Sequence, residues 1–266
     1  MSPETADHRI ATPAGSLFAR SWRPAGGGAG DIVLIHDSLG CVALWRDFPG
    51  VLAAATGHRV IAWDRLGFGR SDPHPGPLPE GFVGREAEAG LRPVCAALGV
   101  GPMVLVGHSV GGGMAIAAAA RMPDRVRAVV TMAAQSFVED RTRDGIRAAE
   151  AAFRDPAQRA RLERHHGRNT GWALDAWIGT WLSPAFAGWT LDADLVRVRC
   201  PVLAIHGDAD EYGSTAHAAR IAAGVPGPAG TLVVAGGGHF PHRERPAETA
   251  DAVARFLGRV GEPPAA

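Results

Sequence analysis

The chain has 266 residues, enough for one sizeable core with an insertion or for two small domains. Its 27 basic residues, all arginine, balance 27 acidic ones to a formal net charge of zero, and 46% of the residues are hydrophobic. That composition excludes a disordered chain, and the even mixing of charge leaves no footprint for nucleic acid or an anionic membrane surface. The lack of lysine, beside abundant Ala, Gly and Pro, reads as codon bias rather than as anion recognition. Cys41, Cys95 and Cys200 are odd in number and far apart, which fits neither a disulfide framework nor a zinc pattern. Met1 to Pro13 lacks the apolar centre of a signal peptide, and no apolar run approaches a membrane span, the nearest being Met114 to Ala120. A soluble, cytoplasmic protein is the expectation.

Along the chain, a glycine-rich turn at Gly26–Gly30 precedes the first of several short aliphatic runs. These are Ile32–Ile35, Arg59–Trp63, Met103–Val106 and Val126–Met132, followed later by Val202–Ile205 and Thr231–Val234. Each is nearly continuous rather than alternating, as in strands buried on both faces of a parallel sheet. Helical patterns lie between them. From Arg85 to Leu98, residues Ala87, Leu91, Val94, Cys95 and Leu98 form one stripe at helical spacing. Met114–Arg121 and Ala247–Val260 also read as helices, the second opened by Pro246. Strands alternating with helices predict a doubly wound α/β fold with a mostly parallel central sheet. From Gln135 to Trp189 the alternation stops. The stretch is helix-forming and ends in Trp172, Trp177, Trp181 and Trp189. It predicts a helical cap at residues 135–189 on a core of residues 1–134 and 190–266. Trp177 and Trp181, four apart, share a helix face and are candidates to line a substrate pocket beneath that cap; packing onto the core is the competing role.

The strongest local signal is Met103 to Gly113, in which a hydrophobic strand runs into Gly107-His108-Ser109-Val110-Gly111 and then a small-residue helix. A nucleophile on so sharp a strand-to-helix turn needs neighbours nearly free of side chains, which Gly107 and Gly111 provide, while Gly112 and Gly113 would let the helix approach the sheet. A serine hydroxyl needs a base, and the base an orienting acid. Acidic residues Asp208, Asp210 and Glu211 follow the run ending at Ile205, and His239 follows the run ending at Val234. His242 stands three residues beyond; Pro241 interrupts any helix there and no third ligand is apparent, so no metal site is expected.

These features together resemble the α/β-hydrolase fold superfamily over nearly the whole chain. The similarity is carried by IHDSLG at Ile35–Gly40, DRLGFGRSD at Asp64–Asp72, GHSVGG at Gly107–Gly112, PVLAIHGDAD at Pro201–Asp210 and GHFPHRERP at Gly238–Pro246. The resemblance implies a triad of Ser109, Asp210 and His239. It implies an oxyanion hole formed by the backbone N–H groups of Val110 and, by position, Ser38; one such donor stabilises the transition state by about 3 kcal/mol. His108 and His36 are expected to shape their loops, and His206 to pack at a strand end. The family usually has His-Gly where this chain has His36-Asp37. A carboxylate beside an oxyanion opposes the chemistry, so Asp37 points away, is paired, or recognises a donor group on the substrate. The Ser38-Leu39-Gly40 segment also resembles the equivalent loop of bacterial enol-lactonases.

No cofactor is implied, and the expected partner is a small, fairly apolar substrate. Three functions fit: an esterase or lactonase working through an acyl-enzyme, a carbon–carbon bond hydrolase of aromatic ring-fission products, and a non-enzymatic small-molecule receptor on the same fold.

Overall fold

The computed structural model describes residues 3–26 and 28–260. Met1, Ser2 and Gly27, which belong to the N-terminal segment and the glycine-rich turn read above, lie outside the described residues.

An eight-stranded sheet forms the centre, in the order β1-β2-β4-β3-β5-β6-β7-β8. Its strands are β1 (Glu4–Thr12), β2 (Gly15–Arg23), β3 (Asp31–Ile35), β4 (Arg59–Asp64), β5 (Met103–His108), β6 (Val126–Met132), β7 (Val202–Gly207) and β8 (Ala229–Val234). From β4 to β8 every pairing is parallel, whereas β1 and β2 run antiparallel at one edge. The six expected strands are all present. The β1–β2 hairpin was not foreseen, because β1 buries only Ile10 and presents mostly exposed polar residues, so its apolar period is faint.

The continuous apolar runs are explained by cores on both sheet faces. Val33, Ile35 and Leu105 point to one core, and Ile32, Leu34 and Val106 to the other. Helix α1 (Phe48–Thr56) covers the second face. On the first face a helical run, α2 (Phe82–Glu86), a π turn at Ala87–Leu91 and α3 (Arg92–Ala97), occupies the expected segment, followed by α4 (Val110–Arg121). Between β6 and β7 come α5 (Asp140–Ala152), α6 (Pro156–His166) and α7 (Thr170–Trp181), and then the short α8 (Asp192–Leu195). After β7 come α9 (Ala216–Gly224), α10 (Pro241–Glu244) and α11 (Pro246–Val260), the last packing beside α1. Among the described residues no helix is long and apolar enough to cross a membrane.

The chain enters and leaves the helical insertion through an antiparallel bridge between Phe137 and Thr190. Glu139 then ties the start of the insertion to the loop after β7, accepting hydrogen bonds from the Ser214 hydroxyl and His217 Nε2, and Thr142 Oγ1 donates to the Tyr212 carbonyl at 2.7 Å. The tryptophans divide in role. Trp172 stacks on His74 and donates to the Gly76 carbonyl, and Trp189 packs on Phe186 and Trp181. Trp177 and Trp181 do both: they border the cavity described next and pack on the core, where Trp181 is buried.

In the strand order, β3 leads to β4 on one side and the chain then crosses to β5 on the other. The carboxyl ends of β3 and β5 therefore face a topological switch point, where open parallel sheets hold their ligands.

Candidate active site

Ser109 sits between β5 and α4 with φ 55° and ψ −126°, a backbone conformation that favours glycine. Close packing enforces it: a methyl added at Gly107 would overlap the Gly111 carbonyl, and one added at Gly111 would overlap the Ile35 and His36 carbonyls. Gly112 is similarly pressed against Ala134, but a methyl at Gly113 would meet its neighbours at ordinary van der Waals distance, 3.5 Å from Val83. The close approach of helix to sheet thus depends on Gly111 and Gly112, not on Gly113. Val110 is the first residue of α4, so its N–H has no partner within the helix. Among the described residues no acceptor takes the Ser38 N–H, and Ser38 and Val110 border one small void together with Arg65 and Trp177.

Asp210 and His239 meet on the loops after β7 and β8. The His239 Nδ1 lies 2.8 Å and 3.0 Å from the two Asp210 oxygens. Asp210 Oδ1 also accepts the N–H groups of Tyr212 and Gly213. His206 adds a contact that the sequence did not reveal, with Nε2 3.2 Å from Asp210 Oδ2 and 3.1 Å from the Gly213 carbonyl. Both neighbours are acceptors, so Nε2 carries the proton, and His206 braces the carboxylate rather than merely packing a strand end. Burial resists the Asp210 charge, but the hydrogen bonds from His206, His239 and Tyr212 prevail and hold the carboxyl well below its ordinary range. Asp208, a solvated loop charge by sequence, accepts the Gly236 N–H at 2.7 Å and fastens the two loops together.

Ser109 and His239 line the same cavity, which has a volume of about 620 Å³ including its open mouth. Its walls include Leu39, Ile146, Phe153, Trp177, Trp181 and Phe240. The Ser109 hydroxyl donates to Gln135 Oε1 at 3.1 Å. Gln135 lies just past β6 and carried no recognisable sequence signal. Tyr212 packs against the His239 ring at 4.8 Å, and burial pushes its hydroxyl pKa up to about 12, so the cavity keeps a neutral phenol.

The remaining histidines separate by their contacts. His36 receives the Arg65 N–H on Nε2 and shapes the loop after β3, as expected. His108 Nε2 lies 2.7 Å from the His239 carbonyl, which links the Ser109 turn to the His239 loop. His242 is buried between Trp45 and Phe48, and its Nδ1 has no hydrogen-bond partner. His166, at the end of α6, was not singled out by the sequence. Its Nδ1 accepts the Gly69 N–H and its Nε2 donates to the Leu39 carbonyl, both at 2.9 Å, so the insertion holds the loop carrying Ser38. Among the described residues no group of three or more His, Cys, Asp or Glu side chains could hold a metal ion.

The fold and this arrangement define a hydrolase-type α/β architecture, and comparison with known proteins agrees. The family described as the alpha/beta hydrolase fold matches residues 31–175, more than half of the chain, and the protein belongs to that family. A 2-hydroxy-6-oxo-2,4-heptadienoate hydrolase of Pseudomonas putida is 39% identical over 111 residues, covering 40% of this chain and 38% of its own. The human serine hydrolase BPHL is 29% identical over 165 residues, covering 60% of this chain and 56% of its own. The chain thus spans between about two fifths and just over half the length of these curated relatives. Among solved structures, a bacterial membrane phospholipase A superposes with a TM-score of 0.79 at 22% identity, covering 97% of this chain and 87% of its own, a likeness of fold alone.

Proposed function

We propose that the chain is a serine hydrolase that cleaves an ester or lactone of a small, fairly apolar molecule through an acyl-enzyme. The observation that carries this reading is the strained Ser109, set beside the Asp210–His239 pair in one apolar-walled cavity. The first step turns the Ser109 hydroxyl from Gln135 toward His239. His239 takes the proton as Ser109 attacks the carbonyl, and Asp210 orients and stabilises the imidazolium. The Val110 and Ser38 N–H groups hold the oxyanion, and His239 returns the proton to the leaving group. Water, activated by the same His239, then releases the acyl group and restores Ser109. Residues 135–189 serve as the lid, with Trp177 and Trp181 on its inner wall, and residues 1–134 and 190–266 as the catalytic core.

Cleavage of a carbon–carbon bond in a ring-fission product is the second reading, supported by the printed activity of the Pseudomonas putida relative. A panel of p-nitrophenyl esters with short and medium acyl chains, an enol-lactone and a vinylogous diketone separates the two. The expected result is turnover of the esters or the lactone with kcat/KM at least about 100-fold above that for the diketone, a difference of roughly 3 kcal/mol in transition-state binding. A diketone preferred over every ester and lactone would reverse the order of the two readings.

A further inference from the structure

The wall of the cavity in front of Ser109 carries a fixed negative charge, and the nearest arginines stand behind that wall. Apart from the base His239, the one charged side chain on its wall is Asp37, and among the described residues no arginine reaches that wall. Arg243, stacked on the Phe240 ring at 4.4 Å, and Arg65, which borders the adjoining small void beside Ser38 and Val110, attract the Asp37 charge without lining this cavity.

The Asp37 carboxylate also has unmet acceptor capacity. Its main-chain oxygen is well used, taking hydrogen bonds from His36 Nδ1, Arg65 Nη2 and the Gly40 N–H. Neither side-chain oxygen receives a hydrogen bond from the described residues. The His108 Nδ1 stands 3.7 Å from Oδ1, beyond hydrogen-bond reach. It is also the wrong atom. His108 Nε2 faces the His239 carbonyl and must carry the ring proton, so in the neutral ring Nδ1 offers a lone pair to a carboxylate. Burial holds His108 below its ordinary range and thus in that neutral form. The carboxylate is left mostly buried, 15% exposed, at the cavity wall and without an internal donor. The carboxylate borders the cavity, where a donor group on a ligand can reach it.

We infer that Asp37 sets the charge selectivity of the site, favouring substrates with a hydrogen-bond donor near the scissile carbonyl, above all a cationic amine, and rejecting carboxylates. The inference builds on the serine-hydrolase reading for its turnover consequences. It bears directly on the second reading as well: a dienoate carries a carboxylate, and in this cavity it would meet Asp37 with no arginine on the same wall. The residue next to Asp37 is Ser38, the proposed second oxyanion donor, so the selected group lies close to the reacting carbonyl.

Two measurements test this. The first is binding of 3-phenylpropylamine, 3-phenylpropanol and 3-phenylpropionate to the Ser109→Ala protein, followed by tryptophan fluorescence, since Trp177 and Trp181 line the cavity. The amine is expected to bind at least about tenfold more tightly than the acid, with the alcohol between them, and the order should weaken with salt. The second is the ratio of kcat/KM for p-nitrophenyl pentanoate to that for the mono-p-nitrophenyl ester of glutaric acid. The ratio is expected to be about tenfold or more in the native chain and to fall at least about fivefold in Asp37→Asn, where the repulsion is gone. Equal binding of amine and acid, or a ratio that Asp37→Asn leaves unchanged, would overturn the inference. The ligand ranking requires no change at Asp37, so it decides the matter even if Asp37→Asn does not fold. Turnover that does not depend on Ser109 would instead defeat the serine-hydrolase reading, and the ranking would still decide the charge selectivity.

Discussion

Replacing Ser109 with alanine is expected to lower kcat/KM toward the best ester by about 10⁴-fold or more, because it removes the proposed nucleophile. What remains is the contribution of the oxyanion donors and of binding. The fold is expected to survive. Alanine keeps the strained φ of 55°, and the main loss is the hydrogen bond to Gln135, a residue only 2% exposed. A cost of about 1–2 kcal/mol follows from the orphaned acceptor. Ser109→Gly loses the same hydroxyl but relaxes the backbone, so it should melt above Ser109→Ala by a few degrees. Ester assays and calorimetry on the three proteins check both halves. Activity above a tenth of the native level in either variant would remove Ser109 from the reaction.

The second large effect is expected on stability. In Gly111→Ala the new methyl overlaps the carbonyls of Ile35 and His36, which belong to backbone and cannot turn aside. Either α4 retreats from the end of β3 or the loop carrying Asp37 and Ser38 is displaced. The expected cost is about 3 kcal/mol or more, a fall in Tm of roughly 6–12 °C for a chain of this size. Gly113→Ala is the internal control. It lies in the same helix, with its nearest neighbour at 3.5 Å, and alanine is the better helix former. That variant is expected to melt at or above the native temperature. Thermal denaturation of the pair distinguishes close backbone approach from a general dislike of side chains in α4, and equal losses at both positions would contradict the packing described above.

Much of the fold was legible because the central strands are buried on both faces. Ile32 to Ile35 serve two cores in alternation, so an unbroken apolar run is the signature such a strand must leave. The edge hairpin escaped for the converse reason, since β1 has little to bury and shows the composition of a surface segment. The π turn at Ala87–Leu91 left no trace in the stripe of apolar residues, which continues across it. In the site, Ser109 and His239 could be named as candidates because each stands just after a strand, and Asp210 was singled out from Asp208 and Glu211 only by the family resemblance. Gln135, His166 and His206 were not visible, because their contacts depend on how loops far apart in sequence come together. Gly69 and His166, for example, are 97 residues apart. Asp37 was visible as a departure from the usual pattern, but the absence of a donor for its carboxylate is a property of the folded cavity.

The most direct test of the proposed nucleophile is covalent labelling. A fluorophosphonate probe reacts with a serine whose hydroxyl is activated by a neighbouring base and whose adduct oxygen is held by an oxyanion site. Incubated with the native chain and mapped by peptide mass spectrometry, it is expected to give one adduct, on Ser109, that is absent from Ser109→Ala and strongly slowed in His239→Ala. No adduct on the folded protein, or an adduct on another serine that persists in Ser109→Ala, would contradict the account.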